Sequence, residues 1–78
     1  MITSEQIRSA RAALDWSIEQ LASATAISSR TIIRMEASVG VPSSTKANLN
    51  AIKNALEAAG IEFIGTPNDR PGIRISTK

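Results

Sequence analysis

The chain has 78 residues with neither cysteine nor histidine, which excludes disulfides, thiolate or imidazole metal sites and any catalysis built on those side chains. Nine basic against seven acidic residues leave a net charge of +2, so the placement of charge, rather than its sum, has to point to a partner. A chain this short supports one compact domain, burying about 60% of the surface it exposes when unfolded. Residues Met1 to Glu5 carry no basic segment followed by an apolar run, and no stretch approaches the roughly eighteen apolar residues of a membrane span. A cytoplasmic protein without membrane contact and without a cofactor is expected.

The first helix is expected to start at Thr3, because Gln6 three residues on completes a capping box. Ile7, Ala10 and Leu14 form one apolar stripe. Asp15 and Trp16 end it, with Trp16 closing the core at an interhelical corner. Ser17 and Gln20 repeat the box, and Leu21 with Ala22 give a short second helix its buried side as far as Thr25. After a tight turn, Ile27 is an apolar plug. Ser28 caps a third helix from about Ser29 to Ala37, with Ile32, Met35 and, as an open alternative, Thr31 facing inward.

Ser38 to Ser44 contains Gly40 and Pro42 and suits an ordered connector. Ser44 or Thr45 then caps a fourth helix with the clearest stripe in the chain, Leu49, Ile52, Leu56 and Ala59, ending at Gly60 in a left-handed position. Residues 61–64 and 72–76 read as two strands around a turn-forming run from Gly65 to Pro71. Ile61, Phe63, Ile73 and Ile75 give this hairpin an apolar face. Either the fourth helix covers that face, or a second copy does across a two-fold axis; the second solution is preferred because a lone hairpin is marginal in water.

Inward Ile32 and Met35 turn Ser29, Arg30, Ile33 and Arg34 outward on the third helix. Two arginines, a hydroxyl and a branched apolar side chain, with no acid, suit the guanine acceptors, phosphates and thymine methyls of a DNA major groove. Arg30 is the first choice for a guanine. Arg34 reaches a base edge or a phosphate, and Ile33 is either a thymine-methyl contact or a partly buried core residue. Ser17, Ser29 and Thr31 are candidates for backbone contact as well as caps, and Lys46 is a phosphate contact or a free surface lysine. Asp15, Asp69, Glu5, Glu19, Glu57 and Glu62 form no paired-acid or metal-ligand arrangement, so no enzyme is expected.

The order Trp16-Ser17-Ile18-Glu19-Gln20-Leu21-Ala22, then Ile27-Ser28, then Thr31-Ile32-Ile33-Arg34-Met35-Glu36 resembles the lambda-repressor-like, or Xre, family over roughly Ile7 to Leu56. The resemblance implies a mainly α, compact four-helix helix-turn-helix domain at residues 1–60. A C-terminal β-hairpin at residues 61–76 joins the same domain as a candidate dimerisation element. It further implies a homodimeric, sequence-specific, double-stranded DNA-binding transcriptional regulator, read as a repressor. It assigns Arg11 and Glu36 to a structural ion pair between the first and third helices, outside the DNA contacts. The sequence departs from the family pattern in three places. Ile18 stands where a glutamine is common, Ala26 stands where glycine is common and must either bear a left-handed conformation at about 1 kcal/mol or make another turn, and residues 38–44 carry no lysine or arginine. The alternative is a protein-interaction module of the same fold, a bridging factor or an antitoxin-type partner of another protein.

Overall fold

A computed structural model of the chain describes residues 1–76. Four helices, α1 (Ser4–Ala13), α2 (Ile18–Thr25), α3 (Ser29–Glu36) and α4 (Lys46–Ala58), precede two strands, β1 (Ile61–Thr66) and β2 (Asp69–Ile75). Each helix begins at a hydroxyl that accepts a backbone N–H three residues on: Thr3, Ser17, Ser28 and Thr45. Such a cap satisfies a donor the helix itself cannot, at about 1 kcal/mol each. Full capping boxes form at Thr3 with Gln6 and at Ser17 with Gln20. Among the described residues no helix is long and apolar enough to cross a membrane.

The helix ends follow the expected positions to within a residue. Ala26 adopts the left-handed conformation that its place in the α2–α3 turn demands, with φ 61°. The connector after α3 is ordered by the start of α1. The Ser4 N–H donates to the Gly40 carbonyl at 2.8 Å, and the Gly40 N–H donates to the Glu5 carboxylate at 3.1 Å. These bonds to its own backbone N–H and to Gly40 hold the Glu5 carboxyl below the usual carboxylate range.

Ile7, Ala10, Leu21, Ile32, Met35, Leu49, Ile52, Leu56 and Ile61 meet in one core, joined by Ile2 from the chain start. Burying each isoleucine or leucine contributes about 1.5–3 kcal/mol. Trp16, Ile27 and Phe63 pack against this core, half-buried.

The hairpin differs from expectation in two respects. Its strands are longer, extending to Thr66 and starting again at Asp69, so the loop is only Pro67 and Asn68 instead of Gly65 to Pro71. The reason is a bulge between Ile64 and Thr66, where Gly65 takes φ 77°. A Cβ at Gly65 would lie 2.3 Å from the Arg70 carbonyl oxygen, so only glycine fits. Pro71 is tolerated inside β2 because both strands of a two-stranded sheet are edges.

The second difference concerns cover. Ile61 pairs with Ile75 and Phe63 with Ile73, which sets all four side chains on one face. That face packs onto α1 and α4 of the same chain, so the need for cover does not itself call for a second copy. Only Ile75, 57% exposed, is left outside. Gln6 fastens the hairpin further. Its Oε1 accepts the Thr3 N–H at 2.8 Å, while its Nε2 donates to the carbonyls of Ile64 at 3.1 Å and Gly72 at 2.8 Å, which are register partners.

Candidate nucleic-acid interface

The outward face of α3 is usable as a reading surface only if the helix is fixed from behind, and the other side of α3 is held closely. Ile32 and Met35 are buried in the core, and Glu36 beside them is buried as well. Three side chains of α1 reach the end of α3. Ser4 Oγ donates to the Met35 carbonyl at 2.6 Å. Arg8 Nη1 donates to the Glu36 carbonyl and, at 3.4 Å, to that of Ser38. Carbonyls at a helix C-terminus lack intrahelical donors, so these bonds satisfy groups that otherwise need water.

The third side chain is Arg11. Its Nε and Nη2 donate to the two carboxylate oxygens of Glu36, each at 2.9 Å, and its Nη1 donates to the Trp16 carbonyl at 2.9 Å. The forked geometry uses guanidinium planarity in a way no lysine can copy. Glu36 and Arg11 side chains are 7% and 24% exposed. Its hydrogen bonds to Glu36 raise the arginine's already high pKa, so the guanidinium keeps its charge. The ion pair implied by the family resemblance is therefore formed.

On the opposite side, Arg30 and Arg34 are exposed and take part in none of the ion pairs among the described residues. Ile33 between them is 57% exposed and is not part of the core. Ser29 is half-buried at the first position of α3. These four share one face, as the 3.6-residue period requires once Ile32 and Met35 are inside. The sole acid of α3, Glu36, is turned away and neutralised by Arg11, so no carboxylate offsets the two arginines on their own helix.

The remaining candidates are placed differently. Thr31 is half-buried on the flank of α3, where its Oγ1 accepts from Ser28 Oγ at 2.9 Å. Ser17 is exposed, and its hydroxyl accepts the Gln20 N–H at 3.1 Å. Ser17 is therefore the cap of α2, whereas Thr31 and Ser29 lie inside α3, whose cap is Ser28. Lys46 opens α4 and lines a groove with Met1 and Ile2, to which no α3 residue contributes.

No protein-family model matches the chain, and no curated protein does. Any assignment therefore rests on the geometry and on the pattern of residues. Among the described residues no group of three or more acidic side chains is arranged to hold a metal ion.

The sequence reading gave no role to Arg8 and did not see that Ser4, Glu5 and Gln6 reach beyond their own helix. Gln6 was visible only as a capping residue. A signal was present for Arg8: it lies one helical turn before Ala12 and three residues before Arg11, so an arginine pair on adjacent faces of α1 pointed to one shared acceptor region. Which carbonyls would be there is a tertiary fact.

Proposed function

We propose that the chain is a lambda-repressor-like helix-turn-helix protein that binds double-stranded DNA and regulates transcription, inserting α3 into the major groove. The observation that carries this reading is the contrast across α3. One side is fixed to α1 by Ser4, Arg8 and Arg11, and the other presents Arg30, Ile33 and Arg34 to solvent with no neutralising acid. Arg30 contacts a guanine through its fork, Arg34 a base edge or phosphate, and Ile33 a thymine methyl. Ser17, Ser29, Thr31 and Lys46 add backbone contacts.

The protein acts as a homodimer in this reading, because one short helix reads too few bases to select a site and paired helices read an inverted repeat. The preferred site has half-sites about 34 Å apart, near ten base pairs. Selection of bound duplexes from a random pool, followed by anisotropy titration at two salt concentrations, tests both features. A selected inverted repeat bound with a steep salt dependence is expected. Equal, salt-insensitive failure to bind any duplex would overturn the reading.

A second reading has its own support. Val39 is 88% exposed on a connector without any charge from Ser38 to Ser44, and Ile33 on α3 is 57% exposed. That apolar, uncharged rim fits a protein-interaction module of the same fold better than a phosphate backbone. Under that reading Arg30→Ala leaves duplex binding absent in both parent and variant, and Val39→Asp abolishes capture of the protein partner.

A further inference from the structure

Each strand of the hairpin has one edge turned to the other strand and one turned outward, and hydrogen bonds fix which residues face out. The Ser76 N–H donates to the Gly60 carbonyl at 2.7 Å. Gln6 Nε2 donates to the carbonyls of both Ile64 and Gly72. One nitrogen reaches both oxygens only if they point into the space between the strands. Glu62 with Arg74 and Ile64 with Gly72 are therefore the pairs that bond across the hairpin. Pro71, Ile73 and Ile75 alternate with them, so the N–H and C=O groups of Ile73 and Ile75 point outward along the free edge of β2. Among the described residues no third strand receives them. Pro71, on the same edge, offers a carbonyl but no N–H.

The two outer edges are unequal. The edge of β1 starts at Ile61, only 3% exposed where the strand packs on α4, and is broken by the bulge at Gly65. A bulge blunts an edge against further pairing. The edge of β2 has no bulge of its own, and Pro71, Arg74 and Ile75 along it are exposed.

We infer that two copies of this chain pair β2 to β2, antiparallel across a two-fold axis, with Ile73 opposite Ile73 of the second copy. The inference rests on the homodimer of the proposed function and names its interface. The edge is self-complementary, because Pro71 and Ile75 are placed symmetrically about Ile73, as are Gly72 and Arg74. A two-fold axis at Ile73 sets exposed Ile75 against exposed Pro71 of the second copy, on the apolar face, and the Ile75 N–H donates to that proline's carbonyl. The proline's missing N–H falls at the rim, where water serves the Ile75 carbonyl.

Charge selects this register. Setting Ile73 against Ile75 instead bonds the same groups, but it places Arg74 directly opposite Arg74 of the second copy, and like charges so opposed are destabilising. With Ile73 against Ile73, Arg74 lies opposite Gly72. That glycine has no side chain, and Ile64 of its own strand pair overlies it, 3.6 Å from where a Cβ would be, so the arginine stem gains an apolar neighbour. The joined sheet keeps only the two β1 edges, both bulged, so pairing stops at two copies. One strand from each copy buries less than the roughly 1,200 Å² of a standard interface, and a dissociation constant on the order of 100 µM is expected without DNA.

Sedimentation equilibrium of the full-length chain between about 10 µM and 1 mM, without nucleic acid, should show a reversible monomer–dimer equilibrium. Ile75→Pro removes an outward N–H and no bond within the hairpin. It should weaken the dimer at least about tenfold while leaving the circular dichroism spectrum and thermal midpoint as in the parent. In a mixture of ¹³C-labelled and unlabelled parent chains, an isotope-filtered nuclear Overhauser contact between the Hα atoms of Gly72 and Arg74 is expected. Within one strand these atoms lie about 7 Å apart, and this measurement needs no variant to fold.

A parent that stays monomeric at about 1 mM would leave the edge to a strand of another protein and overturn the pairing of copies. A dimer as tight in Ile75→Pro as in the parent would overturn the interface, and a contact of Arg74 with Arg74 in place of Gly72 would overturn the register. These outcomes are separate from the DNA reading. A monomer that selects an inverted repeat overturns the edge pairing alone, and a dimer that binds no duplex overturns the DNA reading alone.

Discussion

Helices α1 and α3 each carry two arginines a short step apart, and they use them in opposite ways. On α1, Arg8 and Arg11 point across to α3 and donate to its terminal carbonyls and to Glu36. On α3, Arg30 and Arg34 are exposed and have no ion-pair partner among the described residues. The same side chain therefore serves as scaffold in one helix and as a presented cation in the next. What separates the two uses is which neighbour has an unsatisfied acceptor. The C-terminus of α3 and buried Glu36 supply acceptors to α1, whereas nothing among the described residues supplies one to the outer side of α3.

The largest effect is expected from breaking the scaffold pair. Arg11→Ala leaves the Glu36 carboxylate buried without its fork of donors and should cost about 3 kcal/mol. Glu36→Ala should cost less, because Arg11 is more exposed and keeps its bond to the Trp16 carbonyl. Urea denaturation of both variants checks the order, and absence of any loss in either would show that the pair is not what fixes α3. Gln6→Ala comes next at about 2 kcal/mol, since it removes the donor to two strand carbonyls as well as half a capping box. Faster hydrogen exchange concentrated in β1 and β2 is its signature.

The presented pair should respond the other way. Arg30→Ala and Arg34→Ala should change the urea midpoint negligibly, because exposed, unpaired side chains are involved. Arg30→Ala should nevertheless weaken the selected duplex by roughly 1 to 3 kcal/mol and relax one position per half-site. A variant that is destabilised but binds every sequence with the parent's ranking would erase the distinction between the two helices.

Two smaller effects sharpen the frame around α3. Ala26→Gly relieves the left-handed strain in the α2–α3 turn and should raise stability by up to about 1 kcal/mol. Glu5 tests the connector through pH. Its carboxyl is held below the usual range by its own backbone N–H and that of Gly40, so its contribution is present above the ordinary carboxylate value and is lost as pH falls through the depressed one. Glu5→Gln should flatten that part of the acid-unfolding curve by lowering neutral-pH stability slightly while leaving acid stability almost unchanged.

Helix positions were legible in the residues because capping and periodicity are local. Thr3 with Gln6, Ser17 with Gln20, and Ser28 and Thr45 each fix a start within three residues, and the apolar spacing fixes which side turns inward. The outward placement of Arg30, Ile33 and Arg34 follows from the same arithmetic. The pairing of Arg11 with Glu36 was legible only through the family pattern, since the two are 25 positions apart. The hairpin was legible as two strands around turn formers. Its bulge at Gly65 and short loop were not, because glycine, proline, asparagine and aspartate in one run permit several turns of different length.

The sequence by itself determined the four helices, the inward stripe that builds the core and the bare cationic face of α3. Each depends on dihedral preference or on a side-chain bond within about one turn. The tertiary structure alone decided that Arg8 and Ser4 close the end of α3, and that Gln6 reaches both strands. It alone decided that α1 and α4 cover the hairpin. These contacts join residues tens of positions apart. A donor's partner at that separation depends on where the packed helices bring an unsatisfied acceptor, and local preference carries no record of it.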